Sequence, residues 1–210
     1  MRLGLGLEPK RQAVWRALLL AASAFLIFIG LAAQACSVDD SYLRNERPDG
    51  AGAPTDINLS FGVADVLGVD DVNQQIVLDF FVGLTWTDPR LADQAGCRFP
   101  VTDVWFPEIY ILNSSQLTQK RRNAMNDLGV QEGGRVTWVN RYIGEVSSYH
   151  NLRRFPFDSQ VFSIEISIPE ASTTEIILTS TDDDTFLAER LNIEGWNFRS
   201  MTMTADNMFV

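Results

Sequence analysis

The chain has 210 residues, enough for one domain and an export segment rather than two full domains. Hydrophobic residues make up 46% and charged residues 21%, a balance that excludes wholesale disorder. The formal net charge is −10, and a surface of that sign repels phosphate backbones, which argues against nucleic acid as a partner.

Residues 1–35 read as a signal peptide or, uncleaved, a signal anchor. Basic residues ending at Arg16 precede 19 uncharged residues, Ala17 to Ala35, that close on Ala33-Gln34-Ala35. A small-x-small ending is the pattern of a signal-peptidase site, whereas about 20 apolar residues could also span a bilayer. Both readings export the remainder. Cys36 follows at once, which raises lipidation of that residue as an alternative. The second cysteine is Cys97. An oxidising compartment permits a bond between the two, but the spacing matches no metal motif and by itself does not pair them.

Residues 36–55 are rich in Asp, Ser, Arg, Asn, Gly and Pro and read as a flexible leader, with a short helix around Asp40 to Asn45. From Ile57 the pattern becomes period two. A first strand is expected at Ile57–Leu67, followed by a turn from Gly68 to Asp71. Next comes the cleanest run: Ile76, Leu78, Phe80, Val82, Leu84 and Trp86 share one face, with Val77, Asp79, Phe81, Gly83 and Thr85 opposite. Asp88-Pro89 ends it. Further strands are expected at Trp105–Asn113, at Val136 to Tyr142 with polar Asn140 inside it, at Phe162 to Ile168, at Glu175–Ser180 and at Trp196–Thr204. Gly133-Gly134, Phe155-Pro156 and Asp182 to Asp184 mark turns between them. Seven or more alternating strands with turn-rich joints predict an all-β, immunoglobulin-like antiparallel β-sandwich behind the N-terminal hydrophobic segment.

Four segments in order then carry a resemblance. Leu84-Thr85-Trp86-Thr87-Asp88-Pro89-Arg90-Leu91 contains W-x-D-x-R-L. Val104-Trp105-Phe106-Pro107-Glu108-Ile109, with Asn113, contains W-x-P-[DE]-x-x-x-x-N. Gly134-Arg135-Val136 leads through a hairpin to Arg141, and Asn151 to Gln160 contains Arg154-Phe155-Pro156-Phe157-Asp158. Gly195-Trp196 follows. Together they resemble the extracellular ligand-binding domain of pentameric ligand-gated ion channels, the Cys-loop receptor superfamily, in its prokaryotic form without the loop disulfide. Ser148 and Phe162 stand at the two loop-cysteine positions.

The resemblance implies a ligand-binding domain over residues 56–210, incomplete at its C-terminal end because four membrane helices would follow. It implies a small-molecule ligand or protons as the stimulus, a homo-oligomer of pentameric type, and a place on the periplasmic or extracellular face of a bacterial cell membrane. Phe81 stands at a frequent pocket aromatic on one side of the subunit interface. Leu112 occupies the matching position on the other side, with Glu108 and Tyr110 nearby. Arg154, Phe155, Pro156, Phe157 and Asp158 would relay binding to the pore. Trp86, Asp88, Trp105 and Pro107 would organise the fold. No metal, cofactor or enzymatic activity is expected: His150 is the sole histidine, and Asp182-Asp183-Asp184 reads as a solvated turn. The rival reading is a stand-alone secreted or periplasmic β-sandwich binding module.

Overall fold

A computed structural model of the chain describes residues 36–38, 42, 44–50, 52–119, 127–147, 159–169, 172, 174–180, 185–188, 191, 193 and 195–204. Among these residues ten strands run in chain order: β1 Thr55–Asp70, β2 Gln75–Thr87, β3 Arg98–Pro100, β4 Tyr110–Ile111, β5 Ser114–Gln119, β6 Asp127–Val130, β7 Arg135–Ser147, β8 Ile166–Ser167, β9 Ile176–Thr179 and β10 Thr185–Leu187. Eight of them form one sheet, ordered β10-β1-β2-β7-β6-β3, with β5 on β7 and β9 on β1. Strands β4 and β8 pair in a second, smaller sheet.

The expected alternation is realised along β2. Ile76, Leu78, Phe80, Val82, Leu84 and Trp86 all turn into the core, because successive side chains of a pleated strand point to opposite faces. Strand β7 pairs antiparallel with β2 along its whole length, so Val136, Trp138, Tyr142 and Val146 enter the same core. Two buried clusters result. One gathers Trp86, Leu91, Phe99, Leu128 and Trp138 at one end of the sheet. The other gathers Phe61, Leu78, Phe80, Val82 and Tyr142, with Ile109, Ile111, Ile164 and Ile166 of the second layer packed onto it. Stacked β-layers with a shared apolar interior make the all-β sandwich that the alternation predicts.

Three details differ from the expectation. Strands β9 and β10 run parallel to β1, so the sheet is not purely antiparallel. The expected strands at 105–113 and 162–168 shrink to the two-residue β4 and β8. Residues 196–204 form no strand, although Met201 and Met203 pack against the second cluster. Period-two burial reports which side chains meet the core. It does not report whether the backbone finds a ladder partner. Of the short helix expected around Asp40 to Asn45, residues 40, 41 and 43 lie outside the described residues, and Arg44 and Asn45 make a turn.

The stretch before β1 is fixed at several points. Cys36 and Cys97 form a disulfide across 61 positions of sequence. Val38 and Tyr42 border the first core cluster. Arg44 donates to the Thr102 carbonyl, and Arg47 donates to the Ala53 carbonyl.

Asp88 joins these parts. It is fully buried, yet each of its polar atoms has a partner, as burial of a charge requires. One carboxylate oxygen accepts from the backbone N–H and from Nε of Arg90, at 3.0 and 2.8 Å. The other accepts from Arg90 Nη2 and from the Tyr42 hydroxyl, both at 2.8 Å. Its own N–H donates to the Gly134 carbonyl. Gly134 has φ +77, and a Cβ there would lie 2.2 Å from the Asp88 carbonyl oxygen. Only glycine fits that turn.

Replacing Asp88 with Asn keeps the shape and removes the charge that Arg90 faces. Arg90 is exposed, so its charge stays solvated, and the loss is that of charge-assisted hydrogen bonds at a buried carboxylate, about 2 kcal/mol. Urea unfolding of Asp88→Asn is expected to show that loss, while exposed Glu132→Gln stays within about 0.5 kcal/mol of the parent.

Candidate ligand-recognition surfaces

The residues of β2 that face away from the core meet their counterparts from β1 and β7 on the outer face of the large sheet. Gly62 lies opposite Phe81, and Ser60 opposite Gly83, across the β1–β2 ladder. On the other side Phe81 lies opposite Arg141, and Gly83 opposite Val139. The parallel strand β10 adds Phe186 beside Gly62. These residues line an open cavity of about 200 Å³: Ser60, Phe61, Gly62, Phe81, Gly83, Val139 and Phe186.

The two glycines make its floor. A Cβ on Gly83 would lie 2.3 Å from Ser60 Oγ, and one on Gly62 would press on Phe186 at 3.1 Å. The absence of side chains there lets Phe186 and Ser60 sit against bare backbone. Val139 and Phe186 remain 52% and 58% exposed, so the groove is an apolar surface open to solvent.

Its rim is charged but internally balanced. Arg141 Nε and Nη2 each donate to one oxygen of the Asp79 carboxylate at 2.6 Å, a bidentate pair. The Arg141 guanidinium also lies 5.2 Å from the centroid of the Phe81 ring, within the range of a cation–π contact. The hydrogen bonds that Arg141 donates to Asp79 raise its pKa further above the ordinary value. The groove therefore offers an aromatic face, aliphatic contact, one hydroxyl and a neutralised ion pair.

Glu108, Tyr110 and Leu112 lie elsewhere. They alternate with Pro107, Ile109 and Ile111, which turn inward, so the three candidates face out from the second layer. Tyr110 and Leu112 are 42% and 44% exposed. The pleat thus puts Phe81 on one outer face of the sandwich and Glu108, Tyr110 and Leu112 on the other. One chain does not bring them together.

Trp86, Asp88, Trp105 and Pro107 cluster at the end of the sheet. The Trp86 ring meets the edge of Trp105 at 5.7 Å and lies 6.3 Å from Phe106, which sits 5.0 Å from Trp138. Pro107 is buried. The Trp105 N–H donates to the Tyr42 hydroxyl at 3.0 Å, and Arg90 lies over the Tyr42 ring. Burial, together with the bond Tyr42 donates to Asp88, pushes the Tyr42 hydroxyl pKa well above the ordinary 10.0. Burial also raises Tyr142. Arg154, Phe155, Pro156, Phe157, Asp158, His150 and Asp182 to Asp184 lie outside the described residues.

Residues 35–207 match the family described as the neurotransmitter-gated ion-channel ligand binding domain. The chain belongs to that family. A proton-gated ion channel of Gloeobacter violaceus is 29% identical over 168 residues, covering 74% of this chain and 44% of the relative. An acetylcholine receptor subunit of alpha type from Caenorhabditis briggsae is 29% identical over 155 residues, 69% of this chain and 31% of its own length. The gamma-aminobutyric acid receptor subunit theta of Mus musculus is 23% identical over 171 residues, 78% and 27% respectively. The chain spans less than half the length of each of these relatives. The match to the family starts at residue 35, so residues 36–55 lie within the matched range. Among the described residues, no helix is long and apolar enough to cross a membrane.

The sequence did not single out Ser60, Val139, Phe186 or Tyr42, and Arg141 entered only as a hairpin marker. Val139 and Arg141 share the outward parity of Phe81 once the register is known. Phe186 carries no local signal, since only the parallel β1–β10 pairing brings it there.

Both tyrosines have a consequence for pH. Their folded-state pKa values are raised, so their neutral forms support the fold fully below the unfolded value near 10. That support is lost as pH rises above it. Thermal stability is expected to decline above about pH 10, and in Tyr42→Phe and Tyr142→Phe the decline should be shallower. Tyrosinate absorbance of the native protein should rise late by the corresponding residues. Ionisation of all tyrosines near pH 10 in the native state would contradict this.

Proposed function

We propose that the chain is the ligand-recognition part of a pentameric ligand-gated channel subunit, with the stimulus bound between neighbouring copies rather than within one. The observation that carries this reading is the split of the candidate residues between opposite outer faces. A cavity of about 200 Å³ is smaller than the roughly 300–1,000 Å³ that enclose a drug-sized ligand. The Phe81 groove is therefore one wall of a site. The second wall is the outward face bearing Glu108, Tyr110 and Leu112 on the next copy. Two different faces meeting head to tail form a heterologous contact, and such contacts close into rings.

The stimulus is a small molecule or protons, and the chain performs recognition rather than catalysis. The proton-gated relative at 29% identity supports protons as one stimulus. With His150 the sole histidine, proton sensing here would fall to carboxylates. The Arg154 to Asp158 turn then passes the interface rearrangement to membrane helices, which the intact subunit carries beyond this domain. The domain sits on the periplasmic or extracellular face of a bacterial membrane, exported by residues 1–35.

Assembly tests the reading. The exported protein is expected to form a five-fold particle by light scattering coupled to chromatography. Val139→Glu places an unpaired carboxylate in the groove, and Leu112→Glu places one on the opposite face. Each is expected to shift the particle toward monomer, by tenfold or more in midpoint concentration for a loss of about 1.4 kcal/mol. A monomeric parent, or assembly indifferent to both substitutions, would favour a stand-alone binding module instead.

A further inference from the structure

We propose that Cys36, Tyr42 and Arg44 are the anchors of a redox-locked strap: the Cys36–Cys97 disulfide is the lock, Tyr42 is the latch, and reduction releases both from an otherwise intact sandwich.

The bond joins two unlike sites. Cys36 is exposed, whereas Cys97 is 5% exposed and belongs to the first core cluster. A reducing thiolate therefore reaches the bond from the Cys36 side. Gln94 Oε1 lies 3.6 Å from Cys97 Sγ. No proton is available for that contact while the sulfur is bridged. Once reduced, the Cys97 thiol can donate to it, so the reduced state already has a partner in place. The reaction balances with a dithiol reductant. The Cys36–Cys97 S–S bond breaks, the two thiols of the reductant join as a disulfide, and two electrons and two protons pass to Cys36 and Cys97.

Past the lock, the described residues of the strap are tied through side chains, Arg47 to the Ala53 carbonyl and the Thr55 hydroxyl among them. The Tyr42 hydroxyl donates to Asp88 and accepts from the Trp105 N–H. Arg44 holds the Thr102 carbonyl, and Arg90 reaches back to the Glu46 carbonyl at 3.1 Å. None of these atoms belongs to the β1–β2–β7 ladders that carry the core. Local opening can therefore precede global unfolding. The strap also decides the fate of the Cys36 sulfur. A thioether-linked lipid and a disulfide cannot share one atom, so the bond assigns Cys36 to the strap and not to acylation.

Opening would free the start of the run from Trp105 to Leu112. That consequence for recognition rests on reading Glu108, Tyr110 and Leu112 as a ligand wall. The strap itself does not, and its test needs no ligand.

The exported chain, purified without reductant, is treated with and without dithiothreitol. It is followed by maleimide labelling, tryptic mapping and hydrogen exchange. The oxidised protein is expected to show no labelled cysteine, and reduction to expose two. Tryptic cleavage after Arg44, which Asn45 follows, should rise about tenfold on reduction, while the cooperative thermal transition persists at lower temperature. Cys36→Ser should reproduce the reduced pattern without reductant. Tyr42→Phe should keep the bond yet speed exchange of the Trp105 amide about tenfold, the effect of one lost hydrogen bond. Free thiols or a lipid mass on Cys36 in the untreated protein would overturn the proposal. So would equal cleavage in both redox states, or loss of the thermal transition on reduction.

Discussion

A single buried carboxylate, that of Asp88, connects parts of the chain that sequence separates widely. Its side chain satisfies Arg90 and Tyr42, its N–H meets Gly134, and Tyr42 in turn takes the Trp105 amide. The end of β2, the hairpin before β7, the start of the second layer and the N-terminal strap therefore share one polar centre. An ion pair with its carboxylate buried and its arginine exposed is weak evidence for net stability, because desolvation and screening offset much of its attraction. What it supplies here is geometry. Each of the four segments supplies a group to this centre or to its Tyr42 partner, so satisfying the carboxylate and satisfying the fold are the same arrangement.

The aromatic cluster beside Asp88 follows from that convergence. Trp86 enters from β2, Trp138 from β7, and Trp105 and Phe106 from the segment that Tyr42 fixes. Edge-on and tilted ring contacts between 5.0 and 6.3 Å fill this end of the sandwich, the offset geometry that ring quadrupoles favour. Among the described residues, the indole N–H groups of Trp86 and Trp138 have no hydrogen-bond partner, so ring packing is what places these two side chains.

The outer faces follow from the pleat of the same strands. Because β2 sends Phe80 and Leu84 inward, Phe81 and Gly83 must face out, and the in-register pairing with β7 sets Arg141 and Val139 beside them. In the second layer Ile109 and Ile111 turn inward, which obliges Glu108, Tyr110 and Leu112 to face away. An exposed apolar groove on one side and exposed Tyr110 and Leu112 on the other give the domain two unlike surfaces.

Much of this architecture is legible in the residues themselves. The run from Ile76 to Trp86 announces both its strand and its buried face, since a side-chain period of two leaves no other assignment. The Trp86-to-Leu91 and Trp105-to-Asn113 motifs name the family before any coordinates. The sequence by itself therefore determined the layered β-fold, the family and the outward position of Phe81. Tertiary structure decided what local patterns cannot carry. Cys36 and Cys97 are 61 positions apart, and pairing over that distance depends on where the whole chain leads, not on spacing. The leader from Cys36 looks unanchored because its ties, Tyr42 to Asp88 and Arg44 to Thr102, each cross more than 40 residues. The groove is hidden for the same reason: Phe186 reaches Gly62 only through a parallel pairing of strands distant in sequence. Periodicity reveals which way a side chain points, while long-range pairing alone determines what it meets.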